Sequence, residues 1–172
     1  MDLNNILILR DIINLGGGQV TGNKKMHKIV FIIQEFTNYF NPPFEYKWNY
    51  YGVYSDELTS KLRIGRFFKI FEEIPVREYG YQSYAIRVKD NTEPTHAMDS
   101  DVIKELMQFL NSKEPRLLEV ISSIIYFRNE GLTREEVDLR LLEFKGHLEK
   151  FFDKAYDDLI EINSMISKYS QK

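Results

Sequence analysis

The chain has 172 residues, with 23 Lys and Arg against 26 Asp and Glu for a net charge of -3, and 43% of its residues are apolar. That supports one core of ordinary domain size, while no stretch approaches the ~20 apolar residues of a membrane span, and Asp2, Arg10 and Asp11 interrupt the N-terminus where a signal peptide needs an unbroken apolar block. The absence of cysteine excludes disulfides, thiolate metal sites and thiol catalysis together, and the expectation is a cytoplasmic protein with no membrane partner.

In chain order, residues 3–15 carry Leu3, Ile6, Leu9 and Ile13 at helical spacing, and Gly16, Gly17 and Gly18 end that helix. Gly17 and Gly22 are spaced as in a phosphate-binding loop. Asn23 and Lys24 stand where that loop needs lysine and then Ser or Thr, so the glycines read as a turn. A second helix spans about 23–39, capped by Thr21 or Asn23, with Met26, Ile29, Val30, Ile33 and Phe36 on its apolar face and Lys24, Lys25 and Lys28 pointing elsewhere. Pro42 and Pro43 lead into a half-buried strand at 44–51, where Phe44, Tyr46, Trp48 and Tyr50 alternate with polar residues. Gly52 supplies a turn, and Ser55 caps a third helix whose first turn carries Asp56 and Glu57 and whose end Gly65 weakens.

The segments GQVTGNKKMHKIVFIIQ, YYGVYSDELTSKL, GYQSYAIRV and LLEVISSIIYF resemble a YwgA-like family of small bacterial proteins. The likeness spans most of the chain. Val53 departs from the proline expected in the aromatic-Gly-Pro-Tyr-Ser-acidic turn. The resemblance implies a layout similar to winged-helix proteins and a role as a regulator.

After the third helix, residues 74–88 alternate around Gly80 as a hairpin, the wing. The turn-rich segment 90–95 separates a winged-helix-like subdomain at 1–90 from a helical subdomain at 96–172. In the latter, 101–110 is one helix, Pro115 starts a second that is apolar nearly all round, Thr133 and Glu136 form a capping-box signature, and a last helix follows Gly146. The expected fold is mostly α with a small antiparallel sheet, an α+β class.

Lys61, Arg63, Arg66 and Lys69 form a run of cations with no acid between them. With Arg77 and Arg87 on the wing they make DNA the first expected partner and a transcriptional regulator the first expected function. The acidic start of the third helix repels phosphate and favours the alternative, a protein-interaction module such as an antitoxin or phage-related adaptor. A small-molecule sensor rests on the aromatic cluster Tyr46, Trp48, Tyr50, Tyr51 and Tyr54. An enzyme is not expected. His27, His96 and His147 lie on different elements without metal-ligand spacing and read as surface residues, no GxSxG elbow is present, and no cofactor or metal is called for. Leu148, Phe152, Leu159, Ile162 and Ile166 form a heptad-like seam about 30 Å long, which outruns the helix that starts at Pro115, so the rest is covered either by other helices of the second half or by a second copy in a homodimer interface.

Overall fold

A computed structural model describes residues 3–90 and 100–170. The first half runs α1 (Asn4–Leu15), β1 (Gln19–Thr21), α2 (Asn23–Phe36), β2 (Lys47–Asn49), β3 (Gly52–Tyr54), α3 (Asp56–Phe67), β4 (Phe71–Glu78) and β5 (Tyr81–Val88). β5 pairs antiparallel with both β1 and β4, giving the order β1-β5-β4. Three helices, a β4–β5 hairpin and an N-terminal strand closing the sheet make a winged-helix arrangement in an α+β fold.

The link from α2 to α3 departs from a plain helix-turn-helix, whose turn takes only about three or four residues. Here residues 37–55 intervene and carry the separate β2–β3 hairpin. The strand expected at 44–51 shortens to β2 because its first part pairs with a side chain: the Gln34 amide donates to the Phe44 carbonyl and accepts from the Phe44 N–H, at 2.9 and 2.8 Å. Ser55 caps α3 as expected, its Oγ accepting from the Leu58 N–H. For α2, Gly22 takes the cap position at φ 88 with no side-chain cap, and β1 occupies the stretch where Thr21 was expected to cap. Gly65 does more than weaken α3. A Cβ there would stand 2.3 Å from the Phe71 ring, so its missing side chain lets the buried base of the wing lie against the helix.

The second half is helical: α4 (Ser100–Asn111), α5 (Pro115–Asn129), α6 (Arg134–Lys145), a 3-10 turn (Gly146–Phe151) and α7 (Phe152–Ser170). Pro115 opens α5, and the Thr133–Glu136 capping box opens α6. α5 buries Leu117, Leu118, Val120, Ile121, Ile124, Ile125 and Phe127 by packing against α2, β3, α6 and α7 at once. The two halves therefore share one apolar core. The expected boundary at 90–95 falls almost wholly outside the described residues.

The C-terminal seam is covered within the chain. Leu148, Leu159 and Ile162 are buried, and Phe152 and Ile166 pack half-buried against the same core. The cover comes from α4 and α5, which both lie along α7, and Leu148 belongs to the 3-10 turn, so the seam is not one continuous helix. Among the described residues no helix is long and apolar enough to cross a membrane.

Candidate functional site

The nominated phosphate-contacting cations lie on α3, on the turn after it and on the wing, and they are interleaved with acids. Arg66 forms an ion pair with Glu73 of β4, Arg87 with Glu72, and at the start of α3 Lys47 of β2 with Asp56. Arg63, Lys69 and Arg77 are exposed, while Lys61 is half-buried. The chain therefore spreads the six nominated residues over α3, its following turn and both strands of the wing, from Arg77 near the tip to Arg87 near the base, and pairs Arg66 and Arg87 with glutamates.

Exposed aromatic side chains stand on the same elements, at the base and along the length of the wing. Phe67 and Phe68 close α3 at 80% and 50% exposure, and Tyr79, Tyr81 and Tyr84 line the wing at 68%, 78% and 56%. Local backbone geometry presents both groups. Lys69 adopts φ 58 at the left-handed position where helices usually end in glycine, and the Ile70 N–H bonds back to the Gly65 carbonyl at 2.8 Å, turning Phe67 and Phe68 outward. At the wing tip Tyr79 and Gly80 have φ 51 and 80, the signs that a two-residue hairpin turn requires. A bulky residue at Tyr79 is a costly choice where Asn or Asp would serve.

Toward the interior, α2 carries a second polar constellation. The His27 Nδ1 accepts from the Ser55 N–H at 3.2 Å, which places the ring proton on Nε2, 3.2 Å from the Thr59 Oγ1, and the ring stacks on Tyr54 at 4.5 Å. Burial, reinforced by the neighbouring Lys28 charge, holds His27 down at about 4. His27 is thus a buried joint between α2 and α3, not the surface residue expected, and it is neutral at physiological pH. His147 lies beside a different cavity, and His96 is outside the described residues. Among the described residues no three His, Asp or Glu side chains gather as a metal site.

Lys25 and Lys28 are also buried, where amphipathic spacing puts them toward solvent. α2 is covered on both sides, by its own half and by α4 and α5, so its polar stripe is enclosed. The Lys25 Nζ donates to the Asn111 carbonyl at 2.6 Å, a cation placed at the negative end of α4. Lys145 of α6 donates to the Tyr50 carbonyl at 2.7 Å and to Glu119 of α5 at 2.5 Å. Among the described residues Lys28 donates only to the Val53 carbonyl, at 3.5 Å, and burial lowers it to about 8 against the opposing pull of Glu119. The sequence signal for this group was the i, i+4 spacing of Lys24 and Lys28; nothing local links them to Glu119 or Lys145.

No family model matches the chain, and no solved structure matches it. Over 147 residues, covering 84% of this chain and 86% of the relative, it is 27% identical to the uncharacterised protein YwgA of Bacillus subtilis (strain 168). The chain is thus similar to YwgA over most of its length, including the segments quoted above.

Proposed function

We propose that this chain is a protein-interaction module on a winged-helix scaffold, meeting a protein partner through the end of α3 and the wing. The observation that carries this reading is the exposure of Phe67, Phe68, Tyr79, Tyr81 and Tyr84 on the same elements as exposed Arg63 and Arg77. Exposed aromatics interspersed with arginine are the composition of protein-interface hot spots, whereas a duplex-binding face is strongly and continuously positive. Glu72, Glu73, Asp56 and Glu57 interrupt any such positive face here.

A second reading, a DNA-binding regulator, is favoured by the topology and by exposed Arg63, Lys69 and Arg77. One experiment separates the two. A photo-crosslinking residue at Phe67 or Tyr81 captures a discrete protein in cells, and the same probe at Ile160, exposed on α7, does not. In parallel, mobility shifts at low salt detect no duplex binding. Duplex binding that Arg63→Ala abolishes, with no site-dependent crosslink, would give the function to DNA.

A further inference from the structure

Two neighbouring cavities share Lys24, Lys28 and Tyr51 in their walls. The larger, about 620 Å³, opens between α2, the β2–β3 turn, the start of α5 and the 3-10 turn, and adds Tyr50, Arg116, Glu119 and His147 to that wall. The smaller, about 220 Å³, lies between α2 and α3 beside the stacked His27 and Tyr54. The larger volume is within the range of small-molecule sites.

Cations outnumber carboxylates in its wall. Lys24 and Arg116 stand at the exposed rim and Lys28, only 3% exposed, lies within. The single carboxylate of the wall, Glu119, is already held by Lys145 at 2.5 Å. Lys28 has three protons to donate and one long bond, 3.5 Å to the Val53 carbonyl. A buried ammonium with so little compensation is costly unless something else meets it. The N-termini of α2 and α5 also border these cavities through Asn23 and Lys24 and through Pro115 and Arg116. Neither end has a side-chain cap hydrogen bond, so backbone N–H groups and the positive ends of two helix dipoles add to the three cations.

We infer that this cavity is a binding site for a small phosphate monoester, whose phosphate is held by Lys28, Lys24 and Arg116 and whose organic group extends past the edge of Tyr51 toward the smaller cavity. Phosphate is preferred over a lone carboxylate because three cations and two helix ends exceed what one negative charge requires, and the planar arginine fork fits phosphate oxygens in pairs. Tyr51 is set as a wall by Lys24, whose Nζ lies 3.3 Å from its ring centroid. The phosphate-binding wall is separate from α3 and the wing, whereas the smaller cavity is bordered by Thr59, Leu62 and Arg66 of α3, and the assignment does not depend on which macromolecule the winged surface meets.

The probes are AMP, adenosine and inorganic phosphate, titrated calorimetrically into the full chain. AMP binds with a dissociation constant of about 1 mM or tighter, inorganic phosphate competes with it, and adenosine does not bind. Arg116→Ala, a change at an exposed side chain, and Lys28→Met each weaken AMP by about tenfold or more, with unchanged circular dichroism. Affinity falls between pH 7 and pH 9 in the wild type as Lys28 loses its proton among Lys24, His27, Arg116, Glu119, Lys145, His147 and the tyrosines of the turn, and this fall is absent in Lys28→Met. No binding of AMP, equal binding of adenosine, failure of phosphate to compete, or undiminished affinity in Arg116→Ala overturns the assignment.

Discussion

The cations of the winged end and those around α2 are disposed in opposite ways. On α3 and the wing, Arg66 and Arg87 are partly exposed, and each has a glutamate partner. Around α2, Lys25, Lys28 and Lys145 are buried at 5%, 3% and 2% exposure. Lys25 and Lys145 have close acceptors and Lys28 has only a distant one. Solvent screening makes the first arrangement energetically quiet, whereas burial makes every missing partner in the second consequential. Density of Lys and Arg along a sequence is therefore a poor guide to where charge remains uncompensated.

The largest expected effect is at Lys145. Lys145→Met removes one partner of a buried ion pair, leaving Glu119 and the Tyr50 carbonyl without their closest donor. Breaking such a pair costs about 3–5 kcal/mol, measured by urea unfolding. A loss below about 1 kcal/mol, the range of exposed pairs, would place Lys145 with the winged-end cations and dissolve the contrast.

Lys28→Met carries the opposite sign. A lysine held at about 8 against an ordinary 10.5 carries its charge at neutral pH at a cost of about 3 kcal/mol. Methionine of similar length removes that cost and gives up a weak 3.5 Å bond, so the variant is more stable by about 1–2 kcal/mol at pH 7. The pH dependence follows from the depressed value. Between pH 8 and 10.5 the unfolded chain holds a proton that the folded chain lacks, so wild-type stability rises with pH across that window. The contribution is full above 10.5 and is lost as pH falls through 8. Tyr46 and Tyr156, both raised by burial, pull the other way at the alkaline end. The readout is accordingly the difference between wild type and Lys28→Met, which shrinks toward alkaline pH. A variant less stable than wild type at pH 7 would mean that Lys28 is well compensated, and the contrast with the other buried lysines would fail.

Local pattern carried much of the fold. The order of the helices, the Ser55 cap, the Thr133–Glu136 box and the apolar α5 were legible because each depends on residues within a few positions of one another. The β1 strand was not: its three residues have little pattern and exist as a strand through pairing with Arg87, Ile86 and Ala85. The candidate site was legible only in fragments. Phe67, Phe68 and the wing tyrosines are aromatic positions whose exposure follows from where the chain lacks a covering element, and Lys28 looks like a solvent-facing helical lysine until α5 arrives from ninety residues away. Which elements cover the C-terminal seam was not legible for a related reason, because its partner surface is assembled from two helices and a 3-10 turn.

The smallest expected effects are on the winged end, where they sharpen the contrast and choose between partners. Arg66→Ala removes an ion pair whose side chains are 30% and 37% exposed, so stability changes by about 0.5 kcal/mol or less. Glu73→Gln is equally mild for folding but releases Arg66, and with Glu72→Gln it raises the charge of this face by two. If the face serves DNA, the double variant binds duplex more tightly than wild type and with a steeper salt dependence, because two more arginines can displace counterions. If it serves a protein through Phe67, Phe68 and the wing tyrosines, duplex binding stays absent at low salt and crosslinking from Tyr81 is retained. Tight, salt-sensitive duplex binding by Glu72→Gln with Glu73→Gln, accompanied by measurable binding in the wild type, would show that the carboxylates tune a DNA surface and do not exclude one.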